Sequence, residues 1–154
     1  MRQLVIEDFA ELESHLGTEL VRGEWRTITQ EQINLFAEAT GDRQWIHTDV
    51  ERATAVSPFG GTIAHGFLTL ALLSSLVGEA IRFATPPRLA VNYGLNRVRF
   101  VSPLRAGTRI RASITPSQLE RASGYIQIVW SVIIEGEFGD KPVCTAEWLI
   151  RYYL

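Results

Sequence analysis

Two short segments hold the residue types that move protons and stabilise developing charge. The first is Thr40-Gly41-Asp42-Arg43-Gln44-Trp45-Ile46-His47, in which a carboxylate and an imidazole bracket four residues. A loop leaving a helix can curl so that both side chains face one cavity and exchange protons with a bound water or a substrate carbon. Histidine suits this task because it titrates near neutrality. Spacing alone favours a plainer alternative, in which Asp42 is a turn residue and His47 a partly buried histidine donating to a backbone carbonyl. The second segment is Gly60-Gly61-Thr62-Ile63-Ala64-His65-Gly66, directly before an apolar run. Amides at a helix start suit a carbonyl oxygen that becomes anionic, and Gly66 would let a ligand approach closely. Here too the plainer alternative is that the glycines only permit a tight turn. His65 is expected to orient this loop and not to catalyse.

Other chemistries find less support. Asp42, His47, Asp49 and His65 carry ligand atoms, but no HExxH, paired-cysteine or EF-hand pattern joins them, so no metal is expected. No GxSxG elbow sets up a nucleophilic serine. Arg97, Arg99, Arg105, Arg109 and Arg111 form the one local cationic concentration, which reads as the solvated face of strands.

The elements that must position these segments follow from periodicity and turn chemistry. A helical start is expected over residues 6–15, then strand character over 19–28. Thr29-Gln30-Glu31-Gln32 matches a capping box, so a helix begins there, with Ile33, Phe36 and Ala37 on one face and Gly41 as terminator. Thr48 and Asp49 cap a short helix reaching Ala55. From Gly66 to about Phe83 the chain is apolar nearly all round, which predicts a helix enclosed by other structure. Pro86-Pro87 ends it. Residues 89–101, 108–116, 125–137 and 143–153 read as strands separated by turn signals at Ser102-Pro103, Ala106-Gly107, Ser123-Gly124 and Gly139-Asp140. Such short connections favour a mostly antiparallel sheet around one buried helix.

Composition bounds the setting. The 154 residues suit one domain, 1–154, and 46% are hydrophobic, enough for one core. A net charge of −2 excludes a global field for nucleic acid or an anionic bilayer, so neither partner is expected. The most apolar run falls short of a membrane span, and the acidic start does not fit a signal peptide. The lone Cys144 fits a reducing, cytoplasmic location.

Taken together, FAEATGDRQWIH, GTIAHGFLTLALLSSL and LAVNYGLNRVRFVSPLRAGTRIRA resemble the MaoC-like dehydratase family, in particular its nodulation-protein-N-like branch, which includes R-specific enoyl-CoA hydratases. The likeness is detailed from Thr27 to Arg111 and follows element order over nearly the whole chain. It implies an α+β hot dog fold, an antiparallel sheet wrapped around a long central helix, with two copies joined edge to edge as a homodimer. By that resemblance Asp42 and His47 activate one water, and the Gly66 amide holds a thioester carbonyl oxygen. Ser74 would fall in the substrate pocket. The family's usual Asn-Pro is Gln44-Trp45 here: Gln44 keeps an amide able to place water, and Trp45 adds bulk that would narrow an acyl tunnel. The activity implied is reversible hydration of a trans-2-enoyl-CoA, or acyl-carrier thioester, to the (R)-3-hydroxyacyl form, with no cofactor. A non-catalytic thioester-binding module and a hot-dog thioesterase are the alternatives, the latter poorly served by Glu79 at the far end of the helix from Gly66.

Overall fold

The computed structural model describes residues 3–154. Its largest unit is an antiparallel sheet of six strands, ordered β2-β6-β7-β8-β5, with β3 also on β6. Strands β5 (Leu89–Phe100), β6 (Arg109–Ala122), β7 (Tyr125–Gly136) and β8 (Cys144–Tyr153) form its body, and β2 (Val21–Arg22) and β3 (Arg26–Thr27) are short additions. Alternating burial along β7 and β8 turns Ile126, Ile128, Trp130 and Ile150 into one core. Ser123-Gly124 and Gly139-Asp140 close hairpins, as their turn chemistry predicts. The segment between β5 and β6 does not. It crosses to the other side of the fold, because β5 pairs with β8.

The expected strand over 108–116 runs on to Ala122. Pro116 does not end it, because a register shift between Pro116 and Gln118 absorbs the missing donor. The expected strand over 19–28 is broken into β2 and β3 around Gly23, whose amide donates to the Ala112 carbonyl at 2.8 Å.

Helix α2 (Gln30–Thr40) forms as its signals require. Thr29 and Gln32 make the reciprocal capping box, and Gly41 terminates it in the left-handed region at φ 79°. The N-terminal expectation is corrected: residues 4–6 form strand β1 (Leu4–Ile6), and α1 (Phe9–Ser14) starts only where Asp8 accepts the amides of Ala10 and Glu11. The loop Asp42–His47 is partly helical, with α3 (Trp45–Thr48) followed by α4 (Val50–Val56), which Asp49 caps by accepting the Arg52 amide.

The central helix is α5 (Gly66–Ala71) followed by α6 (Leu73–Ala80), with Leu72 between them still in the right-handed helical region. It ends earlier than its apolar run suggests. Ile81–Phe83 become β4, paired in parallel with β1, because Ile81, Arg82 and Phe83 alternate buried and exposed with a period of two. Leu68, Leu73, Leu76, Val77 and Ala80 bury against the sheet, while Phe67 is 66% exposed on the opposite side. An antiparallel sheet packed on this helix is the hot dog arrangement.

Candidate active site

Helix α2 delivers the chain to Gly41, whose positive φ turns it sharply, and Asp42 follows on an exposed loop. His47 sits one turn into α3 and is buried at 7% exposure. Gln30, in the first turn of α2, donates from Nε2 to the His47 carbonyl at 2.7 Å and accepts the Thr62 hydroxyl at 2.5 Å, binding α3 to the second segment. That segment is clamped from behind: Ala64 donates to the Leu104 carbonyl at 2.7 Å, Ala106 donates to Thr62 at 3.0 Å, and Ile63 bridges Arg105. The β5–β6 connection therefore holds the loop that leads into Gly66.

The ring of His47 has one nitrogen fixed. Nδ1 lies 2.7 Å from the Ile63 carbonyl oxygen, which only accepts, so Nδ1 carries the hydrogen and Nε2 keeps a lone pair. Donation to a backbone carbonyl, the plainer expectation, is thus observed, and it leaves the second nitrogen available. Burial pushes the His47 pKa down and outweighs the Ile63 bond, which raises it; His65 lowers it further and Asp42 raises it.

Ligand-type atoms of Asp42, His47 and His65 lie within 4.8 Å of one another. The His47 and His65 rings stack with centroids 3.8 Å apart and planes inclined by 26°. Imidazole lone pairs lie in the ring planes, so two stacked rings do not direct them at one ion at bonding distance. Among the described residues this trio is the one group near enough to suggest a metal, and its stacking does not suit one. Asp49, also considered as a ligand, is the α4 cap.

A cavity of about 220 Å³ is lined by His47, Gly66, Thr69, Phe100, Val101 and Leu104, with others. It brings His47 and Gly66 together at the start of α5, where the first amide has no intrahelical acceptor. Asp42 reaches the cluster from outside this lining. A second cavity of about 290 Å³, between the helix and β5, is lined by Leu70, Ser74, Tyr93, Leu95 and Trp148, among others. Ser74 is there, apart from His47. Gln44 is exposed, with its carbonyl accepting the His47 amide at 2.9 Å. Trp45 lines neither cavity; Arg52 lies over its ring at 4.4 Å. Sequence reasoning missed Phe100, Thr69 and Val143 as cavity residues, since no local pattern marks them.

Glu79 is held by Arg26 at 3.2 Å near the opposite end of the central helix, far along the chain from Gly66. Arg109 and Arg111 pair with Glu137 and Glu135, which matches the reading of a solvated strand face. Among the described residues no helix is long and apolar enough to cross a membrane.

An antiparallel sheet packed on a central helix, with Asp42, His47 and His65 clustered beside the loop that leads into that helix, defines a hot dog protein. The MaoC like domain profile matches residues 11–129, and the chain belongs to that family. It is 48% identical over 147 residues to the 3-hydroxyacyl-thioester dehydratase Z of Mycobacterium tuberculosis, covering 95% of this chain and 96% of that protein. It is 43% identical over 141 residues to nodulation protein N of Rhizobium leguminosarum, covering 91% and 88%. An unliganded R-hydratase from Pseudomonas aeruginosa shares the fold with a TM-score of 0.70 at 24% identity, covering 94% of this chain and 84% of that one.

Proposed function

We propose that this protein hydrates a trans-2-enoyl thioester, of the enoyl-CoA or acyl-carrier class, reversibly to the (R)-3-hydroxyacyl thioester. The observation that carries the reading is the free Nε2 of His47, set by the Ile63 carbonyl, beside the Asp42 carboxylate and on the cavity that Gly66 lines. Identity of 48% to a 3-hydroxyacyl-thioester dehydratase supports the same chemistry.

In the forward direction His47 Nε2 takes a proton from a water as the oxygen adds to C3 and the C2=C3 π electrons move toward the thioester. The Gly66 amide donates to the thioester oxygen as it becomes enolate-like, a type of contact worth about 2.7–4 kcal/mol when a comparable donor is removed. The imidazolium then returns the proton to C2, so water is added without residue. Asp42 accepts a hydrogen bond from the water's second O–H, which stays on the oxygen as the product hydroxyl, and favours the charged imidazole while it lasts. Gln44, exposed two residues after Asp42, helps orient the water through its side-chain amide, and Ser74 and the second cavity receive the acyl tail. The (R) configuration is what the family resemblance implies.

The chain acts here as one domain spanning 1–154, in a homodimer joined along β5. Among the described residues that edge strand is paired only with β8, yet Leu89, Val91, Tyr93 and Leu95 are all exposed, and Phe100 continues the apolar face to Phe67 at 5.6 Å. A cytoplasmic location goes with a thioester substrate and with the lone, buried Cys144.

Loss of the conjugated enoyl absorbance of crotonyl-CoA, with product configuration determined, tests the reading. Wild-type protein should give the (R) product, and folded Asp42→Asn and His47→Ala should each lose most turnover. Full activity in either variant overturns the mechanism, and binding of short and long enoyl chains without hydration replaces it with a binding module.

A further inference from the structure

His65 is among the most deeply buried polar residues described, at 2% exposure, and the hydration scheme gives it no part. We propose that His65 is a positioning residue for that reaction, its Nε2–H holding the Asp42 carbonyl while its ring face sets the plane of His47. The inference rests on the function proposed above.

Nε2 lies 2.9 Å from the Asp42 carbonyl oxygen, so this nitrogen carries the hydrogen. The other hydrogen bonds at Asp42, from its amide to Thr40 Oγ1 and from the Gln44 amide to its Oδ1, are both 3.4 Å, at the weak end of the range. The exposed loop is thus held most closely by His65. One face of the ring stacks on His47, and Phe36 of α2 meets it at 5.0 Å. The next residue in the chain is Gly66. One side chain therefore fixes the backbone of the acid, the ring of the base and the approach to the amide.

Nδ1 of His65 is buried with no hydrogen-bond partner, alone in this among the described side-chain atoms. An unmatched buried nitrogen costs stability, and a phenylalanine would fill the same space without it. What phenylalanine lacks is the Nε2–H to Asp42, which is the contact the proposal uses. Displacing a reacting group by about 1 Å can cost roughly 10²-fold in rate.

The test uses the whole chain. Nitrogen-15 NMR of the wild-type imidazoles should show His65 as the Nε2–H tautomer and His47 as the Nδ1–H tautomer; His65 hydrogenated at Nδ1 overturns the proposal without reference to activity. With crotonyl-CoA, His65→Phe should keep KM while kcat falls by about 10²-fold, and His65→Gln, which keeps a donor for the Asp42 carbonyl, should recover most of kcat. Wild-type kcat in His65→Phe overturns the inference, as does a folded His65→Gln no faster than His65→Phe. An inactive wild-type protein would count against the proposed reaction, whereas the tautomers would still decide the role of His65 in holding Asp42.

Discussion

The ring of Phe100 lies so close over Gly66 that a Cβ added to the glycine would stand 2.8 Å from Phe100 Cγ. Phe100 is the last residue of β5 and Gly66 the first of α5, so this contact joins the sheet edge to the proposed oxyanion site. Gly66→Ala should displace the ring, cost about 1–3 kcal/mol as overpacking does, and reduce hydration. Phe100→Leu introduced on top should return part of both losses. Thermal melts and crotonyl-CoA kinetics on the two single variants and the double variant measure the coupling; strictly additive effects would show that the ring does not limit Gly66.

A falling pH should remove activity and stability together. Burial holds the His47 pKa below its ordinary 6.5 in the folded chain. The unfolded chain therefore binds more protons in the window just under that value, and stability rises with pH through it. The contribution is complete above pH 6.5 and lost as pH falls through the folded value. The acid limb of kcat/KM, which reports the free enzyme, should lie below 6.5, and His47→Gln should flatten the matching part of a melting curve series between pH 8 and pH 5. An acid limb above 6.5 contradicts this.

Gln30 should matter despite standing outside the cavity. Its amide meets both the His47 carbonyl and the hydroxyl of buried Thr62. Gln30→Leu strands two groups, which should cost about 1–3 kcal/mol and lower kcat more than it raises KM. Chemical denaturation beside steady-state kinetics checks both halves; an unchanged kcat would separate α2 from the positioning of His47.

The exposed edge strand makes a prediction about assembly. Sedimentation equilibrium should give twice the chain mass for the wild type, and Val91→Lys with Leu95→Lys should give a single mass. Charges on the edge of a sheet oppose strand addition. A wild type that sediments as a monomer at micromolar concentration contradicts the homodimer.

Much of this molecule is legible in the chain because its signals are local. The Thr29–Gln32 box and Gly41 define α2 with no help from elsewhere, and strands β5, β7 and β8 lie within a residue or so of where alternation and turns place them. β4 was hidden because Ile81–Phe83 continue an apolar run whose two-residue period shows only when β1 lies alongside. In the site, His47 and Gly66 share a cavity and Asp42 joins the cluster, a grouping that spacing alone does not favour and that the family resemblance implies. Phe100 at the end of β5 and Val143 just before β8 enter from far along the chain, and the His47–His65 stack depends on how two loops pack, so neither leaves a mark in spacing. Ser74 is set apart because, five residues beyond Thr69, it points roughly 140° round the helix toward a different cavity.

The order of elements also fixes an order of assembly. Asp42, His47, Gly66 and the apolar helix all precede β6, β7 and β8, the strands that enclose that helix. The β6–β7 and β7–β8 pairs are hairpins and close quickly, whereas β1 finds β4 across most of the first half of the chain and β5 must wait for β8. A ribosome therefore releases the reactive segments first and their cover last. During that interval Leu68, Leu73, Leu76 and Val77 stand in water, making the nascent chain a target for chaperones until β8 emerges.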